Sequence, residues 1–66
     1  MRDWAYIKES AEVFKMRLAG PIRTPKGGWS AALHGDRGVF ISVTTEGPFA
    51  EERLIGALND AFYDEA

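Results

Sequence analysis

His34 and Asp36 are two closely spaced side chains in this sequence whose types could do acid–base or metal chemistry. An imidazole and a carboxylate can share a proton or bind a metal ion. Two ligands are too few for zinc, however, and the sequence contains one histidine and no cysteine. Aspartate at this position is typical of a type I turn, with the histidine at the end of a strand. We therefore predict a turn here and no metal site.

Nucleophilic catalysis has equally little support in the sequence. Ser30 or Ser42 would need a histidine and a carboxylate beside it, and no spacing links the single histidine to either serine. The segment Lys26-Gly27-Gly28 is not a phosphate-binding loop. In a phosphate-binding loop the lysine follows the second glycine and precedes serine or threonine, whereas here the lysine precedes both glycines. The sequence thus predicts no catalytic residues, no enzyme activity and no cofactor.

The elements that would position these side chains begin with a β-hairpin over residues 29–45. Its predicted turn is a three-residue loop, Asp36-Arg37-Gly38, with the glycine in the left-handed conformation. This loop predicts the following facing pairs: Gly35 with Val39, Leu33 with Ile41, and Ala31 with Val43. Because side chains alternate with period two, this register gathers the apolar residues on one face.

The two predicted faces of the hairpin differ in character. The apolar face, which we expect to be the core, contains Trp29, Ala31, Leu33, Val39, Ile41 and Val43. The opposite face contains Ser30, Ala32, His34, Phe40, Ser42 and Thr44. This second face is small and polar apart from Phe40, which is therefore a candidate docking residue.

A helix is predicted over residues 3–18, with Asp3 as its N-cap and Gly20-Pro21 as its stop signal. Its apolar stripe recurs at spacings of three and four and consists of Trp4, Ile7, Ala11, Phe14 and Leu18. Residues 13–18 also alternate, so a second interpretation ends the helix near Ala11 and adds a third strand at 13–18. Residues 20–28 are rich in proline and glycine, and we predict an irregular connector there.

A second helix is predicted after Gly47, with Pro48 at its first position and Glu51 and Glu52 in its first turn. The stripe predicted to face the hairpin contains Leu54, Ile55, Leu58, Ala61 and Phe62. Gly56 weakens the helix, and close packing is the reason we expect for it. The sequence therefore predicts an α+β fold, helix–β-hairpin–helix, with both helices on one face of a small antiparallel sheet.

Composition limits the size and the setting of this fold. The 66 residues allow one domain, 1–66, and the absence of cysteine leaves no disulfide to stabilise so small a core. Eight aromatic residues suggest a tightly packed core or a second subunit, and we predict a homodimer. No apolar run approaches the ~18 residues of a membrane span. We expect a cytoplasmic protein with no membrane partner.

Charge is distributed unevenly along the chain. Residues 1–30 carry six basic and three acidic side chains, whereas residues 31–66 carry two basic and seven acidic ones. Such polarity concerns partners rather than fold. We predict a protein-interaction module, an inhibitor or a regulatory accessory protein, because short acidic cysteine-free chains are common among such factors of mobile elements. The predicted partner-binding residues are Phe40, His34, Ser42, Glu51, Glu52, Asp60 and Asp64.

The alternative function is a small nucleic-acid-binding regulator. Its basic residues would be Arg17, Arg23, Lys26 and Arg37. The polar face of the hairpin carries none of the Arg, Lys, Asn or Gln side chains that most often read base edges. The negative net charge of −2 also disfavours binding to phosphates. We therefore rank protein binding above nucleic-acid binding.

Overall fold

The computed structural model describes residues 3–63, which form two helices and a three-stranded sheet. The elements in chain order are α1 (Trp4–Val13), β1 (Arg17–Arg23), β2 (Trp29–Gly35), β3 (Gly38–Thr45) and α2 (Ala50–Tyr63). The strands are antiparallel in the order β1-β2-β3, so β2 is central. The predicted α+β fold, with both helices packed on one face of a small antiparallel sheet, is confirmed.

Helix α1 begins as predicted and ends early. The Asp3 Oδ1 accepts a hydrogen bond from the Tyr6 backbone N–H at 2.9 Å, so Asp3 is the N-cap. The helix ends at Val13, and Lys15 follows in the left-handed conformation with φ 60°. That conformation usually belongs to glycine after a helix, and here it turns the chain into a strand. The prediction of helix to residue 18 is wrong.

The third strand of the alternative interpretation exists, but it is β1 at Arg17–Arg23 rather than residues 13–18. Leu18 faces Leu33 across the β1–β2 pair, which explains why it belongs to the apolar pattern. The predicted connector 20–28 is correspondingly shortened, because residues 20–23 lie in β1. The turn that remains is closed by Thr24, whose N–H donates to the Gly28 carbonyl at 3.0 Å and whose Oγ1 accepts from the Gly28 N–H at 2.9 Å.

The hairpin register is confirmed along most of its length. Leu33 faces Ile41 and Ala31 faces Val43, as the apolar alternation predicts. At the tip, however, Gly35 faces Gly38, so the predicted pairing of Gly35 with Val39 is wrong. Gly38 has φ +104°, in the range that favours glycine. The loop is one residue shorter than predicted, and a β-bulge takes up the difference farther along β3.

The core lies between the sheet and the two helices. Ile7, Leu33, Leu54 and Leu58 are fully buried side chains at its centre. Four members of the predicted α2 stripe, Leu54, Ile55, Leu58 and Phe62, are buried, whereas Ala61 is only partly buried. The remaining core and packing residues include Ala11 and Ala31, with Trp4, Leu18, Trp29, Ile41 and Val43 partly buried around them. One face of the sheet is therefore covered and the other is left open.

Two details of α2 differ from the sequence prediction. The helix begins at Ala50, and Pro48 and Phe49 lie in the preceding turn, so proline does not occupy the first helical position. Gly56 does not serve close packing, because a Cβ built there meets nothing within 4 Å. The acidic first turn with Glu51 and Glu52 is confirmed.

Candidate protein-interaction surface

The bulge in β3 decides where the candidate docking residue lies. Val39 faces His34 and Ile41 faces Leu33, which leaves Phe40 as the extra residue between two regular pairs. A bulge reorients the side chains beside it. Phe40 consequently lies beside α2, where it lines a cleft with Ala57 and Asp60. Its predicted place on the far face of the hairpin is wrong.

Val39 lies on the face of the sheet opposite to the one predicted for it. Residues that face each other across an antiparallel pair share a face of the sheet, and His34 alternates with the buried Leu33. Val39 therefore points away from the helices and is 61% exposed. The prediction that Val39 belongs to the core is wrong, and its cause is the same one-residue change at the tip.

A first cleft, which we call the α2 cleft, lies between the bulge and the last helix. It is lined by Phe40 and Ile41 from β3 and by Ala57, Asp60 and Ala61 from α2. The cleft has a volume of about 400 Å³. Asp60 is exposed. The structure thus brings together two residues predicted for partner binding, Phe40 and Asp60.

A second cleft, which we call the tip cleft, lies at the hairpin tip and also measures about 400 Å³. Its walls are Phe14, Lys15 and Met16 on one side and residues 35–40 on the other. Phe14 is held in place by aromatic packing, because its ring stacks on Phe62 with a centroid distance of 5.4 Å. Phe40 is common to both clefts and is 51% exposed, so it forms the ridge between them.

The other two predicted hairpin residues lie elsewhere. His34 and Ser42 face the open side of the sheet, away from the helices, as the alternation predicts. On that side the Thr44 hydroxyl donates to the Ser30 Oγ at 3.2 Å. Because the bulge turns Phe40 away from this face, His34 and Ser42 do not share a surface with the phenyl ring.

The acids predicted for partner binding are in three different situations. Glu51 is engaged within the protein, since its Oε2 accepts a hydrogen bond from the Trp4 Nε1 at 2.7 Å. Glu52 and Asp60 are exposed on α2. Asp64 lies outside the described residues. Of the acids predicted for partner binding, Glu52 and Asp60 are therefore the exposed ones whose positions the structure describes.

The basic residues of the nucleic-acid alternative lie at two ends of the sheet. Arg17 faces His34 near the hairpin tip, and Arg37 is in the tip itself. Arg23 ends β1 about 20 Å away, given the rise of an extended strand, and Lys26 follows it in the turn. The Arg23 guanidinium carbon also lies 4.9 Å from the Trp29 ring centroid, a cation–π contact.

Tyr63 is an exposed aromatic residue that the sequence analysis did not select. Its ring packs edge-to-face against Phe14 at a centroid distance of 6.0 Å, so it extends the aromatic group beside the tip cleft. The Tyr6 hydroxyl, as a hydrogen-bond partner and a nearby ionisable group, raises the pKa of Tyr63 above its ordinary value. The sequence signal for this cluster was weak, because Phe14 and Tyr63 come together only when the ends of the two helices meet.

Phe49 is a second exposed aromatic residue that sequence reasoning missed. It is 72% exposed and has φ 58°, a conformation that bulky residues seldom adopt. It lies in the turn before α2, at the opposite end of β3 from the tip. The clefts beside Phe40 do not include it.

Residues 3–63 contain neither a cluster of metal ligands nor a membrane-spanning helix. No group of three or more histidine, aspartate or glutamate side chains there could hold a metal ion. Neither of the helices that the structure describes is long and apolar enough to cross a membrane.

Comparison of the chain with protein-family models, curated protein sequences and solved structures finds no match.

Proposed function

We propose that this protein is a non-enzymatic interaction module, an inhibitor or regulatory accessory protein that binds another protein and blocks it. The observation that supports this proposal is the position of Phe40, half-exposed on a ridge between two clefts. Aromatic side chains are enriched at protein interfaces, and a few large side chains supply most of the affinity. Phe40 is the anchor in this proposal.

The charge around the anchor indicates the kind of partner. Asp60 lines the α2 cleft beside Phe40, and Glu52 is exposed on the same helix. Acids near an apolar anchor favour a basic surface on the partner, and they act mainly by speeding the encounter. We propose a partner whose basic surface serves another ligand, such as nucleic acid, so that binding blocks that use.

Two further properties belong to the same proposal. We infer that the protein acts in the cytoplasm, where a chain without cysteine loses nothing to the reducing conditions. We also infer that it forms a homodimer, because a 66-residue domain without disulfides is marginal alone and several of its aromatic rings are exposed.

The test begins with the partner captured from the native host by the wild-type chain. The purified partner is then compared against Phe40→Ala and against Phe49→Ala, a matched control at an exposed phenylalanine outside both clefts. Phe40→Ala should weaken the complex by more than about 1 kcal/mol, mainly through faster dissociation. Phe49→Ala should bind as the wild type does.

Charge variants test the steering part of the proposal separately. Glu52→Gln with Asp60→Asn should slow association and reduce its dependence on salt, with little change in the dissociation rate. The nucleic-acid alternative predicts the reverse: affinity for DNA that falls steeply with salt and depends on Arg17, Arg23, Lys26 and Arg37. Tight DNA binding that is lost in Arg23→Ala and unchanged in Phe40→Ala would overturn the proposal.

A further inference from the structure

The outer edge of β3 is open, and beyond the bulge at Phe40 it is chemically unprotected. β3 is a terminal strand of the sheet, and no strand of the described chain pairs with its outer side. The eight residues Gly38–Thr45 include no charged residue and no proline. Native sheets usually protect such an edge with charges, proline or a covering element, because its free N–H and C=O groups recruit another strand.

The other edge of the sheet shows the protection that β3 lacks. β1 contains Pro21, which has no N–H to donate, and its pairing with β2 is interrupted between Ala19 and Ile22. Arg17 and Arg23 at its ends add charge. β3 has a bulge of its own at Phe40, but its remaining residues, 41–45, are regularly paired with β2 and carry no charge or proline, so of the two edges of the described sheet the β3 edge is the more open to a second strand.

We propose that β3 pairs with β3 of a second copy of this chain, which builds a continuous six-stranded antiparallel sheet. A two-fold axis at Ser42 places Ile41 of one copy opposite Val43 of the other. Both residues are partly buried on the helix side of the sheet, so this register extends the core across the junction. A two-fold axis at Ile41 or at Val43 would not place Ile41 opposite Val43. A one-residue shift between the two strands would pair side chains that lie on opposite faces of the sheet.

The position of α2 makes this pairing geometrically self-consistent. A two-fold axis perpendicular to the sheet keeps the helices of both copies on one face. α2 packs over β2 and β3, and neighbouring strands lie about 4.8 Å apart. The two α2 axes would then lie roughly 10 Å apart, which is the distance at which helices pack.

The side chains of α2 that line the cleft beside β3 include two small ones, which leave room for a second helix. Ala57 and Ala61 line the cleft beside β3, and Arg53 lies on the same side of α2, four residues before Ala57. The helices run antiparallel across the axis, and the Arg53 guanidinium is engaged within its own chain, where it donates hydrogen bonds to the Glu46 and Pro48 carbonyls. The α2 cleft is the space that the second copy fills.

This inference deepens the proposed homodimer and goes beyond the proposed partner protein. In the dimer the second copy covers the α2 cleft together with Asp60, so a partner protein would reach Phe40 from the tip cleft, beside Phe14 and Met16. Failure to find a partner that uses Phe40 would leave the dimer intact. Conversely, a monomeric protein could still bind its partner, so the two proposals fail separately.

Sedimentation equilibrium of the wild type, Ala57→Lys and Ala5→Lys tests the interface. Ala57→Lys inserts a long charged side chain where the two helices would meet, whereas Ala5 is an exposed alanine on α1. We expect the wild type and Ala5→Lys to dimerise and Ala57→Lys to remain monomeric. Far-ultraviolet circular dichroism checks that both variants are folded.

Amide hydrogen exchange of the wild type gives a second readout that does not depend on any variant. In the dimer, the β3 amides that point away from β2 should exchange at least about tenfold more slowly at high than at low protein concentration. A wild type that is monomeric at every concentration would overturn the proposal. So would a dimer whose outward β3 amides stay unprotected, or one that persists in folded Ala57→Lys.

Discussion

The indole Nε1 of Trp4 donates a hydrogen bond to the Oε2 of Glu51 at 2.7 Å, which joins the first turns of the two helices. The Trp4 ring also stacks on Trp29 at a centroid distance of 6.4 Å, and the Arg23 guanidinium lies over Trp29. A continuous series of contacts therefore runs from β1 through β2 and α1 to α2. Glu51 and Arg23, which carry the charges at its two ends, stabilise the fold.

Removing the Glu51 acceptor should destabilise the protein more than removing its neighbour. Glu51→Ala leaves the partly buried Trp4 Nε1 without its partner, which should cost about 1–2 kcal/mol of unfolding free energy. Glu52→Ala is the control, because it removes the same charge from the same first turn of α2. Urea denaturation measures both, and equal losses in the two variants would contradict a structural role for the hydrogen bond.

The hairpin could be predicted to the residue over most of its length because burial on one face fixes a period-two register. The tip of the hairpin could not be predicted in this way, because the same sequence suits a loop of two or of three residues. The two loops differ by one residue, which the structure accommodates as a bulge at Phe40. The end of α1 was equally hidden, since Lys15 adopts a conformation that sequence rules assign to glycine.

The candidate site could be predicted only in part from the sequence. An exposed aromatic on the hairpin was visible in the sequence, and Phe40 is indeed half-exposed. Its neighbours were not visible, because the α2 cleft exists only where α2 meets the bulged strand. The sequence does not show which acid of α2, Asp60 or Glu51, is available to a partner. The structure does, because Glu51 accepts a hydrogen bond from Trp4, whereas Asp60 lies beside Phe40.

Truncation of two apolar residues in the hairpin should separate the two faces. Leu33 is fully buried, and Leu33→Ala should cost about 2–5 kcal/mol, enough to unfold much of so small a domain. Val39 is 61% exposed, so Val39→Ala should cost less than about 1 kcal/mol. Thermal and urea unfolding measure both changes. A loss at Val39 as large as the loss at Leu33 would mean that Val39 is in the core after all.

Tyr63 should titrate above its ordinary range, because the Tyr6 hydroxyl favours its neutral form. A folded pKa above the unfolded one means that the folded state holds its proton longer. This contribution to stability is therefore complete below the unfolded pKa, near 10, and is lost as pH rises through the folded value. The ultraviolet absorbance of tyrosinate follows the titration, and Tyr6→Phe should lower the pKa of Tyr63, because Tyr6 is the largest cause of its increase. An unchanged titration in Tyr6→Phe would rule out that cause.

The same substitution at two glycines should change stability in opposite directions. At Gly56, in the middle of α2, an added Cβ meets nothing within 4 Å, so Gly56→Ala should gain about 1 kcal/mol from helix propensity alone. At Gly28 the added Cβ would overlap the Thr45 carbonyl oxygen, and a backbone atom cannot move aside as a flexible side chain can. Gly28→Ala should therefore destabilise the protein, by about 1–3 kcal/mol if the loop shifts to relieve the overlap.

Chemical denaturation of the two alanine variants beside the wild type measures this pair of changes. Gly28 closes the turn in which its own N–H and C=O bond to Thr24, so a shifted loop should also weaken those two hydrogen bonds. Amide exchange at Gly28 and Thr24 should then accelerate in Gly28→Ala, whereas Gly56→Ala should leave both amides unchanged. A Gly28→Ala variant as stable as the wild type would mean that the strand end at Thr45 does not approach the turn as closely as the structure places it.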